Sequence, residues 1–217
     1  MLIGILGLIG SGKSTVSSIL IKQHGFHEDS FAATLKDVVS LMYGWDRALL
    51  EGTTEESRLW RQRVDPWWEA KLEIEGFTPR MALQMVATDT VRDNFNKDMW
   101  LFILENRLRK QKVKDTVITD VRFENEAQFV LSQGGKLISV ERGNNPEWVN
   151  VVSNYHTSNN KEREMIQKIM SSEYPNIHRS EWESVSIPVS HTINNNGTIN
   201  DLHISVEIMI NTIKTSS

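Results

Sequence analysis

The chain reads as an α/β fold, a parallel β-sheet with helices on both faces. An apolar run at residues 1–6 stops at a glycine-rich loop, and the loop passes straight into a helical pattern. Further on, the runs 116–119 and 136–140 are separated by helix-length text instead of a hairpin turn, and strand alternating with helix signals parallel pairing. With 217 residues the chain can bury the core of one domain unaided, and with no cysteine it has no disulfide to help.

The elements follow in order. Residues 1–6 form a buried strand, 7–15 a loop, and 16–23 a helix with apolar positions at Val16, Ile19, Leu20 and Ile21. Residues 26–31 suit a second short strand, and 35–43 a helix through Leu35, Val38, Val39 and Met42. From 45 to 96 the text is polar and rich in Arg and Trp, with helical rather than strand spacing. Thr78-Pro79 marks a helix start there, threonine capping and proline in the first turn.

A helix over 98–111 places Trp100, Leu101, Leu104 and Leu108 on one face. Its basic end (Arg107, Arg109, Lys110, Lys112, Lys114) complements the helix C-terminus and needs no ligand. The helix 124–132, closed by Gly134-Gly135, joins the two later strands. Residues 143–183 are polar and read as an excursion or lid; 186–193 is a last strand, 194–198 a turn and 199–213 a closing helix.

Composition excludes several functions. Against 24 Lys and Arg stand 28 Asp and Glu, a formal charge of −4, which argues against coating nucleic acid directly. The longest apolar stretches are only a few residues, so no membrane span is expected, and residues 1–6 lack a secretory leader; the expectation is a cytoplasmic protein. The absence of cysteine removes thiolate chemistry, and the six histidines show no metal-ligand spacing.

Gly7, Gly12, Lys13 and Ser14 fit the pattern glycine, four residues, Gly-Lys-Ser/Thr, between a strand and a helix. Glycines let backbone N–H groups turn inward around phosphate oxygens, and the helix N-terminus adds partial positive charge. Lys13 is expected on the β- and γ-phosphates and Ser14 on Mg²⁺, with Gly10, Ser11, Gly12 and Thr15 supplying further hydrogen bonds. Such a loop identifies a nucleoside triphosphate, not a task.

The task is suggested by further segments. They are Ser30-Phe-Ala-Ala-Thr-Leu-Lys36, Gly44-Trp-Asp-Arg47, Leu50-Glu-Gly52, Glu56-Ser-Arg58, Asp65-Pro-Trp-Trp68, Thr78-Pro-Arg-Met-Ala-Leu-Gln84, Thr88-Asp89 with Arg92, Trp100, and Thr119-Asp-Val-Arg-Phe-Glu-Asn-Glu126. In order and spacing, from residue 1 to about 142, the chain resembles the deoxynucleoside monophosphate kinases of tailed bacteriophages. Two departures are Ala87, where the family pattern has glycine, and a weak match over 143–183.

The resemblance implies a P-loop NTPase fold of three α/β/α layers, with a five-stranded parallel sheet, a helical acceptor-binding region and a lid. It divides the single domain into a core (1–44, 97–142 and 184–217), a helical dNMP-binding region (45–96) and a lid-like excursion (143–183). The implied reaction transfers the γ-phosphoryl group of ATP, with Mg²⁺, to a dNMP, supplying phage DNA synthesis in the host cytoplasm.

Lys13, Asp120, Arg122 and Arg142 are then expected to be catalytic, Asp120 joining Ser14 at the metal. The expected acceptor contacts are Leu35, Lys36, Arg58, Arg80, Gln84, Thr88, Asp89, Trp100, Asp120, Arg122 and Glu126. Lys36 and Arg80 lead for the phosphate, Gln84, Thr88 and Asp89 for base or sugar, with Arg92 supporting Asp89. Arg58 and Arg61 stand on one helix face, Arg163 and Arg179 are candidate lid arginines, and the 196–198 turn is a candidate adenine contact. The expected partner is a small-molecule dNMP, with a homodimer left open. Two alternatives stand beside this: a P-loop kinase of another small acceptor, such as dephospho-coenzyme A or a nucleoside, and a nucleotide-binding regulatory ATPase.

Overall fold

A computed structural model describes residues 1–111 and 115–215; the expected cationic positions Lys112 and Lys114 lie outside the described residues. The chain divides into two units, Met1–Ser30 with Lys110–Ser217, and Phe31–Arg109. The helical unit thus takes in the segment 31–44 and most of the 98–111 helix, which the sequence reading gave to the core.

The first unit is a sheet of five parallel strands: β1 (Leu2–Leu6), β2 (His27–Asp29), β3 (Thr116–Ile118), β4 (Lys136–Glu141) and β5 (His191–Asn194), in spatial order β2-β3-β1-β4-β5. Successive side chains of a strand face opposite ways. Ile3 and Ile5 accordingly join Val117, Ile138, Val140 and Ile193 in one core with α1 (Lys13–His24) and α11 (Ile199–Thr215), contributed by Val16, Leu20, Leu202, Val206 and Ile210. On the other face lies α7 (Glu124–Ser132). A Cβ at Gly4 would stand 2.8 Å from Leu137 and 3.3 Å from Val130, so only glycine lets that helix approach.

The segment expected as a polar lid has a core of its own. It holds α8 (Trp148–Val152), a 3₁₀ turn (Tyr155–Thr157), α9 (Asn160–Glu173) and α10 (Arg179–Trp182). Trp148, Val152, Tyr155, Ile166, Met170 and Trp182 are buried together, with Leu8 of the glycine loop packed against them. The last strand also begins later than residue 186. Pro188 has no N–H for a ladder, and residues 186–190 run as irregular chain before β5.

The second unit is helical. It contains α2 (Ala32–Tyr43), α3 (Glu55–Trp60), α4 (Pro66–Leu72), α5 (Pro79–Gln84), a π-helix (Met85–Arg92) and the start of α6 (Met99–Gln111). Side-chain caps define the starts: Thr54 accepts from Ser57 N, Asp65 from Trp67 N and Trp68 N, and Thr78 from Met81 N. The tryptophans mostly pack. Tyr43 stacks on Trp45 at 4.5 Å between ring centroids, Trp68 meets Tyr43 edge-on at 4.8 Å, and the Trp45 and Trp68 indole N–H groups donate to Asp65 and to the Tyr43 carbonyl.

Candidate functional site

The glycine loop leaves β1 in a conformation open to few residues but glycine: φ is 139° at Gly7, 82° at Gly10 and 103° at Gly12. A Cβ at Gly7 would lie 2.4 Å from the Val140 carbonyl, whereas one at Gly10 would meet nothing within 4 Å, so the crest is open space. Helix α1 starts at Gly12 with no side-chain cap and no acidic residue in its first turn. An uncapped start with a positive end suits an anion.

Lys13 bends back over the loop, donating from Nζ to the carbonyls of Gly7 at 2.6 Å and Leu8 at 2.8 Å. Burial pushes its pKa down to about 8; Arg122 pushes the same way, and Asp120 opposes both. Asp120 and Arg122 thus stand near enough for their charges to bear on Lys13. Ser14 and Thr15 are exposed in the first turn, and the Ser11 hydroxyl is buried without a hydrogen-bond partner. Ser11 is one of the residues lining a cavity of about 260 Å³, with Gly7, Ser139, Arg142, Val149 and Thr192. Arg142 is exposed beyond β4.

Other expected contacts have structural work. Glu126 is buried and its carboxylate accepts from the N–H groups of Arg122 and Phe123, closing the start of α7. Arg122 also donates to Ser180 at 3.4 Å. Arg163 donates to the His156 and Ser158 carbonyls and pairs with Glu124 of α7 at 3.6 Å, while Arg179 pairs with Glu183 at 3.1 Å and lies over the Phe123 ring, so both candidate lid arginines tie the excursion to the start of α7. In the 196–198 turn, Thr198 caps α11 reciprocally with Asp201.

Within the helical unit, Leu35 is buried and Lys36 pairs with Glu51 at 2.6 Å. Arg47 also pairs with Glu51, and with Asp37 at 2.5 Å. Burial works to raise the Glu51 carboxyl, but the hydrogen bonds and charges of Lys36 and Arg47 outweigh it and hold the group below the usual carboxylate range. Glu51 is the partner of Lys36 and Arg47 that the sequence pattern did not single out, although Leu50-Glu-Gly52 is among the matching segments.

Arg80 and Gln84 lie one turn apart on α5, and Thr88 follows, buried, in the π-helix with the exposed Asp89 and the buried Arg92. Trp100, also buried, donates its indole N–H to the Ala87 carbonyl at 2.9 Å. Arg58 is exposed and donates to the Thr53 carbonyl, while Arg61, the C-cap of α3, lays its guanidinium against Gly52, so the two side chains have different partners. Among the described residues no cluster of three or more His, Asp or Glu could hold a metal ion, and no helix is long and apolar enough to cross a membrane.

The strand order, with the glycine cradle at the carboxyl end of its central strand, defines a P-loop phosphotransferase fold. No protein-family model matches the chain. Over 153 residues it is 35% identical to an Acanthamoeba polyphaga mimivirus protein named as a deoxynucleotide monophosphate kinase, across 65% of this chain and 74% of that one. It is 26% identical over 179 residues to the deoxynucleoside-5′-monophosphate kinase of Escherichia phage T5, across 60% and 71%. The shikimate kinase of Aquifex aeolicus superposes loosely, with TM-score 0.42, 15% identity and 97% and 96% covered. The chain belongs to the deoxynucleoside monophosphate kinase family.

Proposed function

We propose that this protein transfers the γ-phosphoryl group of ATP to a deoxynucleoside 5′-monophosphate, yielding ADP and the diphosphate as a precursor for DNA synthesis. The observation that carries the reading is the uncapped glycine cradle closed by Lys13, in a chain of this family. Phosphoryl transfer asks for positioning and charge neutralisation more than covalent chemistry. Backbone N–H groups of the loop hold the triphosphate, and Lys13 exchanges the Gly7 and Leu8 carbonyls for phosphate oxygens.

Ser14 and Asp120 suit Mg²⁺, which takes one or two protein oxygens and fills its shell with water and phosphate, so no cluster of carboxylates is needed. When bound, Mg²⁺ supplies charge neutralisation at the β- and γ-phosphates. Arg122 and Arg142 add fixed positive charge. On the acceptor side, Lys36 and Arg80 hold the monophosphate, Gln84, Thr88 and Asp89 meet base or sugar, and Trp100 forms a wall. Lys36 reaches a phosphate by giving up Glu51, which stands in as its anion.

The deciding measurement is ADP release across the four dNMPs, with dephospho-coenzyme A and nucleosides as rival acceptors. Stimulation by at least one dNMP is expected. ATP hydrolysis unaffected by any acceptor would leave the regulatory ATPase reading instead. Replacing Arg80 by Ala should raise the KM for dNMP at least about tenfold while the KM for ATP holds; an unchanged dNMP KM would remove Arg80 from the acceptor site.

A further inference from the structure

Asn195 stands in the turn between β5 and α11, and its side chain reaches across to the phosphate loop. Nδ2 donates to the Ser11 carbonyl at 2.8 Å. Its own N–H donates to the Glu141 carbonyl at the end of β4, at 2.7 Å, so the turn that carries the amide is fastened to the sheet. Position 12 is shaped to receive it: a Cβ on Gly12 would lie 2.2 Å from Nδ2, inside contact distance. The glycine that the loop motif demands is thus required twice, once for its positive φ and once to admit Asn195.

A trans peptide is planar, with its carbonyl and the following N–H pointing in opposite directions. Drawing the Ser11 carbonyl toward Asn195 therefore turns the Gly12 N–H the other way. Gly12 is the N-cap of α1, so its N–H belongs to the set a helix start offers an anion. We infer that Asn195 is a positioning residue for the phosphate donor. It holds the carbonyl behind the loop and so fixes the aim of an N–H in front, without touching nucleotide itself.

The next residue of the turn extends the device. Asn196 Oδ1 accepts from the Gly143 N–H at 2.7 Å, where the chain leaves β4 for the excursion over 143–183. One turn therefore fastens both the phosphate loop and the start of the excursion.

The inference rests on reading the loop as an ATP site, and its test separates the two. ATP affinity is measured by calorimetry, without acceptor, on wild type, Asn195→Ala, Asn195→Asp and Lys13→Ala, with KM for both substrates and melting temperatures alongside. Asn195→Asp keeps the shape but replaces the donor with an oxygen facing the Ser11 carbonyl. Asn195→Ala should weaken ATP binding about tenfold and Asn195→Asp more, with the dNMP KM moving less than about twofold. Wild-type affinity in Asn195→Asp overturns the inference, as do equal losses toward ATP and dNMP. If wild type binds ATP no better than Lys13→Ala, the ATP reading itself fails and this inference falls with it.

Discussion

Lys13 is asked to be charged where charge is costly. Its pKa of about 8 means that, near neutrality, the ammonium is kept by the Gly7 and Leu8 carbonyls and by Asp120 against burial and Arg122. Between about pH 8 and the ordinary lysine value of 10.5, the unfolded chain holds a proton that the folded one has released, so Lys13 contributes a rise in stability with pH across that window. A bound polyphosphate favours the ammonium and raises its pKa again. Nucleotide binding should therefore take up a proton above about pH 8, with affinity level below and falling by up to about tenfold per pH unit above. Calorimetry of ADP in buffers of different ionisation enthalpy checks this, and Lys13→Arg should abolish the inflection. Lys13→Ala should lower kcat by about a thousandfold or more and leave the fold intact.

At the scale of elements, boundaries set by local chemistry were legible. The helix 124–132 sits where its residues placed it, and Thr78-Pro79 starts α5 as capping chemistry requires. What the α7 pattern did not reveal is that Glu126 spends its carboxylate on two backbone N–H groups. Glu126→Ala should destabilise the fold by about 1–3 kcal/mol, read as a lower urea midpoint; an unchanged midpoint would mean that these two hydrogen bonds add nothing to stability. The departure at Ala87 is resolved by its surroundings. Residues 85–92 are π-helical, and among the described residues Glu73 is the non-glycine with positive φ, so Ala87 needs none of glycine's freedom. That wide turn was not legible, because intrinsic preference distinguishes π from α poorly and single-turn π segments depend on their neighbours. The Lys36–Glu51 pair was hidden for a different reason: its members stand 15 residues apart, beyond any helical spacing.

For the molecule as a whole, the α/β class and the strand succession could be read from alternation, since each parallel strand must be followed by a crossover. The buried core of the 143–183 excursion could not. Its apolar residues are thinly spread among Asn, Ser, Glu and Lys, and only folding brings Trp148, Tyr155, Met170 and Trp182 together. Tight packing around β1 makes a strong expectation: Gly4→Val should destabilise by about 1–3 kcal/mol or more, because its side chain would collide with Leu137 and Val121. Thermal denaturation measures it, and a wild-type midpoint would mean that Leu137 and Val121 can give way freely.

The central place of β1 also dictates a folding schedule. Leu2 finds its partner in Thr116 and Ile3 in Lys136, so the strand that launches the phosphate loop waits for distant chain before any ladder can form on it. Such long-range closures are slow, and an apolar strand left waiting is a hazard for aggregation. During refolding, helical signal should recover first and ATP binding last, with a chaperone-sensitive interval between them. Simultaneous recovery in stopped-flow measurements would contradict this order. The residues that open the chain are, in time, among the last to become useful.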